Sequence, residues 1–145
     1  YSSEQKEATI IGDLTKYDQL PQNYIDCFIC TQTLNFIYDF KEAVKGMHSI
    51  LKPNGVALVT VGGISQISRY DADRWGDFWR FNPQGIEKAF QEVFGKDNVT
   101  IHVYGNSYAA TMFLNGFATE DCNKAKLNAI DEDYPITIAI VAKKQ

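Results

Sequence analysis

The segment Tyr24–Val61 constrains the fold of this chain more than any other part of the sequence. It opens with the nearly continuous apolar run Ile25–Cys30, which is typical of a parallel strand covered on both faces. Apolar residues at helical spacing follow, and a second apolar run, Val56–Val61, closes the segment. A strand, a helix and a strand of these lengths predict a right-handed crossover with the two strands parallel.

The limits of the central helix are marked in the sequence. Asp39 stands at the N-cap position and Glu42 follows three residues later, which is the spacing of a capping box. The Lys52–Pro53 pair ends the helix, because proline cannot continue a helix and disfavours helical geometry in the residue before it. Asn54–Gly55 then predicts a turn into the second strand.

Weaker sequence patterns predict further helices and strands before and after this segment. Ala8–Ile11 is a short β-type run, and Asn82 followed by proline predicts a helix that ends at Gly95. The remaining predicted elements are a strand over Asn98–Tyr104, a helix over Ser107–Ala118 and a strand over Ile136–Ala142, with the two strands paired as an antiparallel hairpin. The expected fold class is α/β: a partial doubly wound, Rossmann-like sheet, mainly parallel, with helices on its faces and an antiparallel C-terminal strand.

Composition narrows the kinds of partner. The chain has 145 residues, of which 45% are hydrophobic, so residues 1–145 are expected to form a single domain. A net charge of −4, with acidic and basic residues interspersed, disfavours nucleic acid as a partner. No apolar stretch approaches the roughly 20 residues of a membrane helix, and no signal pattern opens the chain. We therefore expect a cytoplasmic protein that binds neither nucleic acid nor membrane.

Cysteine usage agrees with a reducing compartment, since three cysteines do not suit a disulfide framework. Cys27 and Cys30 have Cys-x-x-Cys spacing, but residues three apart in a strand point to opposite faces, so the thiols cannot meet. A zinc site would need two further ligands at suitable spacing. Neither a redox pair nor a metal site is expected.

In open parallel sheets, ligands bind beyond the carboxyl ends of the strands. The residues at those positions are Asp13 with Leu14, Thr31–Leu34 and Gly62–Ser65. Three stretches around them resemble, in order, the later motifs of class I S-adenosylmethionine-dependent methyltransferases of the type 11 kind. They are Gly12–Leu14 with Leu20–Pro21, Tyr24–Leu34 and Ile50–Gly55, and together they cover most of residues 8–61. Ser68–Phe81 is also similar to the corresponding stretch of methyltransferase-like domains encoded beside sugar-modifying enzymes.

The resemblance implies S-adenosylmethionine as cofactor. It matches Asp13 to the acid that accepts a hydrogen bond from the adenine amino group, and Leu14 to the contact with the same ring. Thr31 and Gln32 match the segment beside the methionine part, and Asp26 matches the acid that opens the family's fourth strand. Taken alone, the structural interpretation is favoured for each residue, with Asp13 as a turn residue and Asp26 as a strand cap. Their joint occurrence in register favours the cofactor role.

The glycine-rich cofactor loop of that family has no counterpart here. Only twelve residues precede Asp13 and no Gly-x-Gly occurs in the chain, whereas a βαβ unit takes roughly 30 residues. The start at Tyr1, without methionine, favours a fragment of a longer protein, in which cofactor binding requires the missing N-terminal part. The alternative is a short domain that has lost cofactor binding.

The stretch from 69 to 80 is the candidate acceptor site. Arg69, Asp71, Trp75 and Trp79 form a surface able to stack on a flat or sugar-like acceptor and to bond its hydroxyls. The alternative is a lid packed on the sheet, with the two tryptophans, four residues apart, burying one helical face. A carboxylate of this stretch is a candidate base for transfer to oxygen, but the spacing selects none, so the catalytic residue stays unassigned.

Two functions follow from these observations. The preferred one is methyl transfer from S-adenosylmethionine to a small-molecule or sugar-like acceptor, carried out by the intact protein. The alternative is a non-catalytic, methyltransferase-like binding or assembly module that does not bind the cofactor. Because an uncovered sheet edge invites pairing, the edge left by the missing strands predicts a homodimer or a domain swap.

Overall fold

The computed structural model describes residues 8–145, so the first seven residues of the predicted domain lie outside the described part. Four strands form one sheet in the order β1-β2-β4-β3. Their bounds are β1 Ile25–Thr31, β2 Leu51–Gly62, β3 Val99–Tyr104 and β4 Thr137–Lys143. β1 and β2 pair in parallel, and β4 runs antiparallel to both of its neighbours, so three strands share one direction. The predicted parallel crossover and the predicted C-terminal hairpin are both confirmed.

Within residues 8–145, five helices connect the strands. Their bounds are α1 Phe40–Ile50, α2 Arg69–Ala72, α3 Pro83–Phe94, α4 Ser107–Leu114 and α5 Lys124–Leu127. Single 3₁₀ turns lie at Tyr17–Gln19, Leu34–Phe36, Lys96–Asn98 and Thr119–Asp121. Among the described residues, none of these helices has both the length and the apolar character needed to cross a bilayer.

The two long helices begin where the sequence predicts. Asn82 caps α3, accepting a hydrogen bond from the backbone N–H of Gly85 at 2.6 Å. Asp39 is the N-cap residue of α1, but its side chain makes no capping hydrogen bond. Glu42 pairs with Lys45 at 2.7 Å instead of reaching back to the cap. The predicted capping box is therefore wrong in its hydrogen bonds, although the helix start is right.

The turn predicted over 54–55 is part of a strand. β2 begins at Leu51, directly after α1, and its register against β1 shifts between Ile25 and Cys27. Residues 52–55 thus form a bulge. The backbone of Lys144 exchanges hydrogen bonds of 2.8 and 2.9 Å with the chain at Asn54 and the next residue. These bonds to the C-terminal end of the chain keep the bulge within the sheet.

The strand predicted over Ala8–Ile11 is not formed. These residues join no ladder, and the side chain of Ile11 is 40% exposed. A strand persists only with a hydrogen-bonded neighbour, and in the part of the chain described here the outer edge of β1 pairs with no strand.

Both long helices pack on the same face of the sheet. The largest fully buried side chains on this side are Phe90, Leu34, Met47, Leu51, Ile86, Ile138 and Ile140. α1 also contacts α3 directly, so the two helices together cover the core on the side away from the sheet. Burying each large aliphatic or aromatic side chain stabilises the fold by roughly 1.5–3 kcal/mol, so this layer supplies most of the apolar burial.

The opposite face of the sheet is open. Ile29 is 69% exposed, and its register partner Leu58 is 39% exposed. The prediction that both parallel strands are buried on both faces, with helices on each, is therefore wrong, because no described helix covers this side. Cys27 lies exposed on the open face and Cys30 is buried on the other, so the two thiols point apart as predicted.

Candidate functional site

A cavity of about 800 Å³ lies beside the turn at Asp13 and the segment that follows β1. Its lining includes the predicted site residues Asp13, Leu14 and Trp75, together with Thr33, Phe36 and Ile37. The carboxyl end of β1 leads directly into this segment, so the cavity occupies the edge of the sheet where ligands of parallel sheets bind. Residues far apart in sequence thus line one cavity.

One of the two carboxylate oxygens of Asp13 is hydrogen-bonded within its own turn. Its Oδ1 accepts hydrogen bonds from the Thr15 backbone N–H at 2.9 Å and from the Thr15 hydroxyl at 2.8 Å. These two bonds, the backbone bond first, lower the pKa of Asp13 from its ordinary value. The group is therefore ionised at neutral pH, and its Oδ2, which accepts no bond from the described residues, is available to an N–H donor.

Two glycines allow the Asp13 turn to lie close to its support. A Cβ at Gly46 of α1 would overlap the carbonyl oxygen of Leu14, and a Cβ at Gly12 would overlap the side chain of Leu20. Leu20 is 7% exposed and Leu14 packs on the core. The turn is thus pressed onto α1 and anchored by Leu20, which fixes the direction in which Asp13 points. The sequence did not predict either contact, because a glycine gives no signal of what approaches it.

The segment after β1 reaches the cavity through Thr33. Gln32, at φ 49°, bonds to Thr60 of β2 by its backbone N–H at 2.8 Å and its side-chain amide at 3.3 Å. The Thr33 hydroxyl donates to the carbonyl of Thr31 at 2.9 Å. Of these residues only Thr33 lines the cavity. The predicted cofactor contacts of Thr31 and Gln32 stay predictions, with both residues adjoining the cavity.

The two tryptophans of the aromatic stretch take different roles. The indole N–H of Trp79 donates to the carbonyls of Ile37 and Tyr38 at 3.2 and 3.1 Å, and its ring packs edge-on against Phe40 at 5.5 Å. Trp75 is 51% exposed and lines the cavity. Trp79 therefore holds the stretch on the protein, as in the lid alternative, while Trp75 presents a ring to the cavity.

The other two predicted acceptor residues lie on α2, at the rim of the stretch. Arg69 is exposed, and the backbone carbonyl of Asp71 accepts hydrogen bonds from the N–H groups of Arg74, Trp75 and Gly76. Neither of the two side chains lines the cavity. Their predicted contact with an acceptor stays a prediction.

An ion pair that the sequence did not single out lies at the base of this stretch. Arg80 Nη1 bonds to Asp77 Oδ1 at 2.6 Å and Nη2 bonds to Oδ2 at 2.8 Å, and the Asp77 side chain is 1% exposed. The hydrogen bonds from Arg80, ahead of the other contacts, lower the pKa of Asp77 to about 2. At neutral pH, Asp77 is thus an ionised carboxylate paired with Arg80.

The described residues contain no cluster of side chains suited to binding a metal ion. Among residues 8–145, no three His, Cys, Asp or Glu side chains come close enough together to hold an ion. The three cysteines are free thiols, and burial raises the pKa of Cys30.

Sheet order, strand direction and cavity position define the class of this domain. Three co-directional strands, an antiparallel strand inserted before the last, and a cavity at the carboxyl edge make it a partial Rossmann-like α/β domain. A family model described as a methyltransferase domain matches residues 2–59. The first two fifths of the chain thus carry the sequence pattern of that family, and the fold is that of the S-adenosylmethionine-dependent methyltransferases.

Solved structures share this fold. One is an S-adenosylmethionine-dependent methyltransferase from Archaeoglobus fulgidus, with a TM-score of 0.58 and 17% identity over 93% of this chain and 66% of that one. Another is a phosphoethanolamine N-methyltransferase 2 of Haemonchus contortus, with a TM-score of 0.58 and 17% identity over 91% of this chain and 36% of that one. A third, from Thermotoga maritima and described as a possible histamine N-methyltransferase, has a TM-score of 0.58 and 13% identity over 92% of this chain and 62% of that one.

The chain spans 36% to 66% of the length of these structures, so each of them contains a substantial part with no counterpart here. A comparison with curated proteins gave no match.

Proposed function

We propose that this chain contributes the adenine-side wall and the acceptor wall of an S-adenosylmethionine-dependent methyltransferase, and that the intact protein transfers a methyl group to a small-molecule or sugar-like acceptor. The observation that carries the proposal is the meeting of Asp13, Leu14 and Trp75 in one cavity. Its volume of about 800 Å³ falls within the range of small-molecule sites. The methyltransferase-domain match over residues 2–59 includes both Asp13 and Leu14.

Each lining group has a defined part in holding a nucleoside. The free Oδ2 of Asp13 accepts a hydrogen bond from the exocyclic amino group of adenine, which an ionised carboxylate does more strongly than a neutral acceptor. Leu14, Phe36 and Ile37 supply apolar contact for the face of the ring. The Haemonchus contortus phosphoethanolamine N-methyltransferase 2, solved in complex with S-adenosylhomocysteine and with S-adenosyl-L-methionine, supports the same cofactor.

The acceptor is placed against Trp75, whose half-exposed ring lines the same cavity as Asp13 and Leu14 and therefore also borders the bound cofactor. Arg69 and Asp71 lie on the short helix just before Trp75, and we propose that they bond hydroxyl groups of a sugar-like molecule. The cofactor, when bound, supplies a methyl group on a positively charged sulfur. The residues of this chain contribute orientation and exclusion of water, which bring donor and acceptor into line.

Calorimetric titration with S-adenosylhomocysteine tests the proposal. The chain should be titrated beside the complete protein translated from its gene, with the Trp75→Ala variant of each. Binding by the complete protein that weakens in Trp75→Ala supports the proposal. Absence of binding by the complete protein overturns it, whereas absence of binding by the chain alone, with binding by the complete protein, shows that the remaining part completes the site.

A second candidate, a non-catalytic assembly module, is favoured by the uncovered side of the sheet. In the part of the chain that the structure describes, the outer edge of β1 has no strand partner and the adjacent Ile29 is 69% exposed. An edge of this kind pairs readily with a second copy, so we propose a homodimer formed through β1. We place the protein in the cytoplasm, in keeping with its three free cysteines.

A further inference from the structure

We propose that Asp77 and Arg80 are a positioning pair that holds Trp75 at the candidate site. For its effect on ligand binding, this inference rests on the proposed function. For the placement of the chain, it rests on geometry alone. The pair does not line the cavity, and it acts through the segment that does.

Arg80 has every donor occupied. Its guanidinium forms a two-pronged pair with Asp77 at 2.6 and 2.8 Å. The remaining N–H groups donate to three backbone carbonyls, those of Ser65 at 3.2 Å, of Trp79 at 2.8 Å and of Gln66. A guanidinium has five N–H donors in a fixed fork, so all five are used here. Lysine has neither the fork nor the number of donors needed to replace it.

Asp77 joins the segment after β2 to the segment after β1. Its Oδ2 accepts the backbone N–H of Ser68 at 3.0 Å, and its Oδ1 accepts the side-chain amide of Asn35 at 3.3 Å. Asn35 in turn accepts the backbone N–H of Phe78 on its own carbonyl at 2.8 Å. With Arg80 included, one buried carboxylate connects the two loops that emerge at the carboxyl edge of the sheet.

The consequence for the cavity follows from the positions of its wall residues. Thr33 and Phe36, which flank Asn35, line one side of the cavity, and Trp75, two residues before Asp77, lines the other. Asn35 and Asp77 are bonded to each other, so their bond sets the separation of these walls. The side chain of Trp75 is half exposed and packs edge-on against Tyr70, with 6.2 Å between the ring centroids. Its position therefore depends on the anchor that follows it in the chain.

Gly76 makes the connection between the anchor and the ring possible. Its φ of +94° lies in the region that favours glycine, and a Cβ there would overlap the ring of Phe78. The chain thus turns sharply between Trp75 and Asp77. With a single residue between them, the position of the anchored Asp77 limits where the ring of Trp75 can lie.

Hydrogen exchange tests the placement without any ligand. In Asp77→Asn the amides of residues 74–76 should exchange about tenfold faster than in the wild type, while those of α1 and α3 keep their protection. The matched control is Glu92→Gln, which breaks the exposed Lys41–Glu92 pair of 3.1 Å away from the cavity. Unchanged exchange at 74–76, or an equal rise throughout the chain, overturns the proposal. If Asp77→Asn does not fold, Arg80→Lys is measured in its place with the same criteria.

A double-mutant cycle tests the effect on binding in the complete protein, with S-adenosylhomocysteine as the probe. Asp77→Asn should weaken binding about tenfold when Trp75 is present and less than about twofold in the Trp75→Ala background, since the pair acts through that ring. Equal weakening in both backgrounds overturns the positioning role. If the wild-type protein binds no probe, the proposed function fails, and the exchange measurement alone decides whether the pair places Trp75.

Discussion

Gly46, in the middle of α1, lies directly against the carbonyl oxygen of Leu14, so that any side chain at position 46 would overlap that atom. The helix is therefore the surface on which the Asp13 turn rests. Glycine is a poor helix former, and its presence here is explained by this approach of a second backbone. The contact links the core of the crossover to the candidate adenine contact at Asp13.

Replacing Gly46 with alanine should lower the stability of the protein by about 1–3 kcal/mol, despite the better helix propensity of alanine. The added Cβ meets rigid backbone on one side and the buried layer of α1 on the other, so either the turn or the helix must move. Urea denaturation followed by circular dichroism measures the change. The ligand affinity of the complete protein should fall as well, because the displaced turn carries Asp13.

The matched substitution is Gly85→Ala in α3. There the added Cβ would meet the end of the Asn82 side chain, at 3.0 Å, and moving that side chain weakens one capping hydrogen bond but displaces no backbone. A smaller loss of stability than in Gly46→Ala is expected, with no change in ligand affinity. Equal losses of stability in the two variants would show that the close approach of Leu14 does not determine the effect of Gly46→Ala.

Asp13→Asn should weaken binding of S-adenosylhomocysteine to the complete protein about tenfold or more, because a hydrogen bond to a charged acceptor contributes roughly 1.5–3 kcal/mol. Asparagine retains an oxygen for the two Thr15 bonds, so the turn itself should persist. Asp18→Asn, an exposed acid on the same loop that does not line the cavity, is the control. Calorimetry in which both variants bind as the wild type does would remove Asp13 from the site.

The elements that the sequence predicted are those fixed by local chemistry. The apolar stripe that begins at Phe40 and the cap at Asn82 locate α1 and α3, because periodicity and capping depend only on residues within a few turns. The crossover between the two parallel strands follows from their length and order. The segment after β1 was placed at the edge of the sheet from the end of that strand, since a strand end marks a ligand position without knowledge of the ligand. Asp13 was placed there from a strand over Ala8–Ile11 that does not form.

What the sequence did not predict depends on distant partners. The exposure of Ile29 depends on what covers that face of the sheet. An apolar strand has the same sequence pattern whether its face is covered or open. The bulge at 52–55 depends on Lys144, at the other end of the chain. The Asp77–Arg80 pair has an ordinary i, i+3 spacing, and only its burial beside Asn35 distinguishes it from a surface pair.

Stability should depend on the Asp77–Arg80 pair in a defined pH range. The pKa of Asp77 is lowered from 3.8 to about 2 in the folded protein, so the stabilisation is fully present above about pH 4 and is lost as the pH falls through 2. Its size is on the order of 2 kcal/mol. The free energy of unfolding should therefore differ between wild type and Asp77→Asn at pH 6, and the difference should shrink at pH 2.5. A difference that is the same at both pH values would assign it to packing.

Glu92→Gln controls for the loss of any acidic partner. The Lys41–Glu92 pair is about half exposed on both sides, and exposed pairs contribute little. This variant should match the wild type at pH 6 and at pH 2.5.

The open side of the sheet leads to a prediction about self-association. If two copies pair through the outer edge of β1, a lysine in place of Ile29 puts a charge beside the pairing edge and should shift the protein towards monomer, since charged residues block edge pairing. Thr100→Lys places the same charge on the same face at β3, the opposite edge, and should leave association unchanged. Sedimentation velocity over a range of concentrations distinguishes the cases. A dimer that is lost equally in both variants would indicate contact through the whole open face, and a protein that is monomeric before any substitution would exclude the β1 edge as a dimer interface.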